Sequence, residues 1–185
     1  VIHSNLKQYE TALEYFNNAQ LSFNDQNSEK YQADVYLNEA RVHFELNQID
    51  TAQRKLENSI VIAKKYDLNR VLASSYIQNA KVYYTKEEFN LALDQAKTGL
   101  DIAIEDDNTS NINDAYLLLS KIHQSKEQYR SANLYLNKHL KLTDSLKVIN
   151  AETSFSENNP NLIAGNQNSD NEQLKNQPTE SESES

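Results

Sequence analysis

Four segments of the chain repeat one pattern in strict register. Tyr9-Glu-Thr-Ala12, Ile49-Asp-Thr-Ala52, Phe89-Asn-Leu-Ala92 and Tyr129-Arg-Ser-Ala132 each place a large apolar residue three positions before an alanine, and successive alanines lie 40 residues apart. A period of this length marks stacked supersecondary units, because each unit can bury its apolar face only against its neighbours.

Each unit reads as two helices. From Tyr36 to Leu46 the spacing is helical, with Tyr36, Ala40, His43 and Phe44 on one face. A polar break at Asn47-Gln48 follows, and a second helix runs from Ile49 to about Tyr66, carrying Ala52, Leu56, Ile60 and Ala63 one or two turns apart. The next unit repeats this with Tyr76, Ala80 and Tyr83, then Phe89, Ala92, Ala96, Gly99 and Ala103. The last gives Tyr116, Leu119, Ser120 and His123, then Tyr129, Ala132, Leu136 and Leu140. Polar segments at 25–28, 67–69 and 106–111 are expected to be loops that supply helix caps. The small residues Ala40, Ala80 and Ser120 on the first helices, and Ala12, Ala52, Ala92 and Ala132 on the second, let paired helix axes approach closely.

Composition removes the competing classes. Two glycines and two prolines are too few for a turn-rich sandwich or barrel, or for glycine-rich nucleotide loops, so the chain is expected to be all-α. No apolar run reaches the ~18 residues of a membrane span, and no signal peptide is visible. The absence of cysteine excludes disulfides and thiolate metal sites and fits either a cytoplasmic or an exported protein, with the cytoplasm preferred. Six of the nine net negative charges fall in residues 151–185, where seven acidic residues face Lys175 alone. The remaining body is near neutral and offers no overall basic surface for nucleic acid.

The slots of the repeat match the tetratricopeptide pattern of aromatic, small, aromatic and alanine positions. The first aromatic slot holds Tyr36, Tyr76 and Tyr116, and the small slot Ala40, Ala80 and Ser120. The next aromatic slot holds His43, Tyr83 and His123, the alanine slot Ala52, Ala92 and Ala132, and the closing slot Phe16, Leu56, Ala96 and Leu136. Nearly all of residues 1–150 thus resembles the tetratricopeptide-repeat family. The period of 40 exceeds the family's usual ~34, and the end-of-repeat proline is missing, since Pro160 and Pro178 lie beyond residue 150. Both departures resemble the long-helix variety found in bacterial signalling proteins. The resemblance implies a right-handed solenoid of helical hairpins, with a partial unit at 1–27 and full units at about 28–67, 68–107 and 108–150. A disordered, acidic, low-complexity tail is expected at 151–185. His3 falls in the slot of His43 and His123, so the sequence is expected to begin inside the first helix of a repeat.

In that family the first helices line a concave face, which directs attention to their outward residues. Arg41, Lys81 and Lys121 form a basic set forty apart; Leu37, Ile77 and Leu117 form an aliphatic set one turn earlier. Phe44 and Tyr84 add aromatic surface one turn later, with Gln124 replacing them in the last unit. These eight residues, Leu37, Arg41, Phe44, Ile77, Lys81, Tyr84, Leu117 and Lys121, are the expected surface for a peptide or partner helix carrying acidic groups. The competing reading packs the aliphatic set against the neighbouring repeat and leaves the basic set solvated. The first lysine of the family's chaperone-docking carboxylate clamp has Leu37, Ile77 or Leu117 in its place, so that docking mode is not expected.

His3, His43 and His123 share a slot, but stacked helices stand about 10 Å apart. Packing is therefore expected of them, with no metal and no cofactor. No phosphate loop, zinc-protease motif or nucleophile elbow is present, and no enzymatic activity is expected. The segment from His139 to Lys147 is similar to the final helix of tetratricopeptide sensor proteins of Bacteroidetes-type bacteria. The leading expectation is a protein–protein interaction scaffold. The alternative is the sensory or regulatory region of a bacterial signal-transduction protein, a histidine kinase or transcriptional regulator, seen as a fragment. A third expectation is homodimerisation, of coiled-coil type, through Leu136, Leu140, Leu142 and Leu146.

Overall fold

The structure, a computed structural model, describes residues 8, 11–16, 18 and 26–158, with the side chains of 26–28 and 149–158 left aside. Helical residues 11–16 (α1) precede α2 (Gln26–Glu45), α3 (Ile49–Lys65), α4 (Asn69–Thr85), α5 (Phe89–Glu105), α6 (Thr109–Ser125) and α7 (Tyr129–Asn158). The described residues are all-α, and α2/α3, α4/α5 and α6/α7 form antiparallel hairpins packed in sequence. α3 lies against α4 and α5 against α6, while α4 also touches both α2 and α6. Two compact units are present, one ending at Lys141 and one beginning at Leu142.

Every described turn is built the same way. Asn47, Asp67, Glu87, Asp107 and Glu127 all have positive φ, between 49° and 61°, and they recur every twenty residues. Each sits just past a helix end. The next backbone N–H reaches back to a carbonyl five residues earlier, as in Gln48 to His43 (2.8 Å), Glu88 to Tyr83 (2.9 Å) and Gln128 to His123 (2.9 Å). This satisfies helix carbonyls that would otherwise lack partners. The left-handed residue is never glycine, so each turn carries a conformational cost of about 1 kcal/mol. Two turns add a side-chain tie. His43 Nδ1 donates to Gln48 Oε1 at 2.6 Å, and His123 Nδ1 to Gln128 Oε1 at 2.7 Å. The histidine slot therefore braces the hairpin turn.

Helix crossings reuse two slots with changing chemistry. One joins Glu39 to Lys55 as an ion pair (2.7 Å), then Asn79 to Gln95 as an amide pair (3.1 Å); its third occurrence places Leu119 and Tyr135. The other faces a first-helix carbonyl. Ser59 Oγ donates to the Ala33 carbonyl at 2.7 Å, Gly99 lies against Ala73, and His139 Nδ1 donates to the Asn113 carbonyl at 3.3 Å. Of the expected small residues, Ala40, Ala80, Ser120, Ala52, Ala92 and Ala132 are buried, which is what close axes require, and Ala12 is half-buried.

Several boundaries differ from expectation. α2 already begins at Gln26 and α6 at Thr109, so most of 25–28 and half of 106–111 are helical. Among α3 to α6 only Asn108 caps with its side chain, accepting from the Asn111 N–H at 3.0 Å; the N-caps of α3, α4 and α5 make no side-chain cap bond. α7 runs to Asn158, past the expected start of the tail at 151. Residues 159–185, together with His3 and Tyr9, lie outside the described residues.

Candidate functional site on the first-helix face

Two recesses open on the face shared by α2, α4 and α6. The first, of about 360 Å³, is lined by Leu37 and Arg41 from α2, Arg70 and Ser74 from α4, and Asn111 from α6. Its floor is held by hydrogen bonds. Ser74 Oγ donates to Asn111 Oδ1 at 2.8 Å, and Asn111 Nδ2 donates to the Arg70 carbonyl at 3.0 Å. Arg41 touches Asn38 Oδ1 at 3.3 Å and otherwise faces outward.

The second recess, of about 280 Å³, gathers Phe44, Lys81, Tyr84, Asp114, Leu117 and Lys121. Tyr84 is braced by Phe89, with ring centroids 5.7 Å apart, and its hydroxyl meets Ser125 Oγ at 3.1 Å. From Ser74 to Lys81 is seven residues of α4, so the two recesses lie about 10 Å apart along the helix.

Lys81 is the electrostatic centre of this face. Burial holds its ammonium below the ordinary lysine value; Asp114 pulls in the opposite sense, while Arg41 and Lys121 reinforce the depression. Among the described ion pairs none involves Lys81. The middle member of the basic set thus feels the other two, and it is half-buried without a bonded carboxylate. Desolvation of this kind costs free energy that an added anion would offset.

Of the eight residues singled out in the sequence, seven line the two recesses: Leu37 and Arg41 in the first, and Phe44, Lys81, Tyr84, Leu117 and Lys121 in the second. Ile77 does not. It is 1% exposed and packs toward Gly99, whose missing side chain draws it into the core. Leu37 is also largely buried and shows only an edge to the recess, whereas Leu117 is half-exposed. Leu37 and Ile77 are therefore mainly packing, and Leu117 is the open member of the aliphatic set.

Sequence reasoning missed one slot. Asp34, Ser74 and Asp114 are forty apart and all line these recesses. They lie one turn before the aliphatic set, so extending the same face by one turn finds them. Asn111 was missed because 106–111 was read as a loop, and Arg70 because it lies a further turn before Ser74 on α4.

Among the described residues no group of three or more His, Asp or Glu side chains is placed to hold a metal ion. No described helix is long and apolar enough to cross a membrane. No protein-family model matches the chain, and comparison with curated proteins also gives no match.

Proposed function

We propose that this protein is a tetratricopeptide-like repeat protein, a right-handed array of hairpins, whose first-helix face binds a peptide or partner helix with acidic residues beside apolar ones. The observation that carries this reading is Lys81, half-buried and without an ion-pair partner among the described residues, flanked by Arg41 and Lys121 and walled by Phe44, Tyr84 and Leu117. A ligand carboxylate at Lys81 would restore solvation lost on folding, and its apolar neighbour would cover the aromatic wall. The first recess, with Arg41 and Arg70, lies one extended tripeptide away at about 3.3 Å per residue.

A fluorescence-anisotropy titration tests this with a panel of labelled twelve-residue peptides that combine glutamate with leucine or phenylalanine, beside the same peptides with glutamine for glutamate. Binding is expected for acidic members and to weaken at least about tenfold in the Arg41→Glu/Lys81→Glu/Lys121→Glu variant, checked for helicity by circular dichroism. Equal affinity for the glutamine peptides, or unchanged binding by the variant, contradicts the reading.

A second reading is the regulatory region of a bacterial signal-transduction protein. It draws support from α7, which continues for 30 residues where α3 and α5 stop after 17. A continuous helix can carry a change at the repeats into the segment that follows.

A further inference from the structure

The second helix of each inner hairpin is covered along one edge by the first helix of the next. Leu56 on α3 is 1% exposed in a core shared with α4, and Ala96 on α5, forty residues later, is fully buried in a core shared with α6. One turn on, Leu100 is buried too. The same slots on α7 are Leu136 and Leu140, which are 37% and 48% exposed. Tyr129, in the slot of the half-buried Ile49 and Phe89, is 61% exposed. The edge keeps its apolar character but lacks a covering helix among the described residues.

Residues 156–172 do not carry the repeat pattern on. The slots of Tyr116, Ser120, His123 and Ala132 are taken forty residues later by Ser156, Pro160, Ile163 and Glu172. α7 also stays helical at 146–148, the place where a repeat turn is due.

Charge at a neighbouring slot indicates what would fit. The second residue of each inner second helix receives a lysine from the next hairpin's turn. Lys86 Nζ donates to Asp50 Oδ1 at 2.7 Å, and Lys126 Nζ donates to Asn90 Oδ1. On α7 this acceptor is replaced by Arg130, which is exposed. A helix bearing lysine there would meet a like charge; one bearing a carboxylate would gain a charge-assisted bond.

We propose that Tyr129, Leu136 and Leu140 form a docking edge for a partner protein's helix, one with the apolar stripe of a first helix and a carboxylate in place of the repeat lysine. The edge is separate from the α2/α4/α6 face and does not depend on what that face binds.

The test is a methyl-resolved NMR titration of the full chain with two synthetic peptides. Both carry the sequence of residues 109–128, one as it stands and one with Lys126→Glu. The Leu136 and Leu140 methyl signals are expected to shift saturably, with the glutamate peptide binding about 2- to 5-fold more tightly, and the Arg130→Glu protein is expected to reverse that order. No saturable shift at either leucine overturns the docking edge. Equal affinities for the two peptides in both proteins overturn the carboxylate assignment. Self-association in sedimentation equilibrium, lost in a Leu136→Ser/Leu140→Ser variant that keeps its helicity, places a second copy on the edge and overturns the partner assignment.

Discussion

Gly99 sits where α5 meets α4 so closely that an added Cβ would lie 2.7 Å from Ile77 Cγ1 and 3.0 Å from the Ala73 carbonyl oxygen. In an isolated helix, alanine would be the better residue by about 1 kcal/mol. Here the neighbours are the β-branched core residue Ile77 and backbone, neither of which yields easily. Gly99→Ala is therefore expected to destabilise the fold by about 1–2 kcal/mol net, read from urea unfolding midpoints. An unchanged or raised midpoint would show that α4 and α5 can separate at no cost. The same slot holds Ser59 and His139, which reach the first helix with a hydrogen bond instead of by close approach. Glycine there looked like one more small residue in the sequence. That it decides the fate of Ile77 becomes visible only when the opposing helix is in place.

The turn is the element that repeats most faithfully, and it was the least legible. Helix identity, hairpin pairing and the small-residue crossings follow from the 40-residue register, since apolar and alanine slots recur with little variation. The left-handed turn recurs every twenty residues, yet its residues are Asn, Asp, Glu, Asp and Glu, with no glycine to mark them. Backbone hydrogen bonds specify this geometry and ask little of the side chain. Glutamate has less reason than asparagine or aspartate to adopt φ of 61°, as Glu87 does. Glu87→Gly is expected to stabilise the protein by about 0.5–1 kcal/mol, seen as a rise in the thermal midpoint, because the strain relieved exceeds the added chain entropy. A lowered midpoint would mean that the Glu87 side chain contributes more to the turn than its backbone strain costs. The turn is also where hairpins are tied together, through Lys86 to Asp50 and Lys126 to Asn90, and where α7 breaks the rule by placing Arg130 at the acceptor slot.

At the scale of the molecule, an array of hairpins presents one face made only of first helices, and slots forty apart become neighbours on it. This is why Arg41, Lys81 and Lys121 could be grouped from sequence alone, and why the influence of Arg41 and Lys121 on Lys81 appears once α4 stands between α2 and α6. Depth was not legible. Periodicity gives a residue's direction but not whether a neighbour covers it, so Ile77 and Leu117 looked equivalent although one is core and the other half-open. The central claim is that Lys81 and its surroundings form a ligand site. Its most direct test is a 15N-resolved NMR titration with the tightest acidic peptide of the anisotropy panel. Saturable shifts concentrated on Arg41, Phe44, Lys81, Tyr84, Leu117 and Lys121 are predicted, and they should vanish in the triple charge-reversal variant. Shifts centred instead on Val61, Leu91 and Ile104, or shifts that persist in the variant, would contradict it.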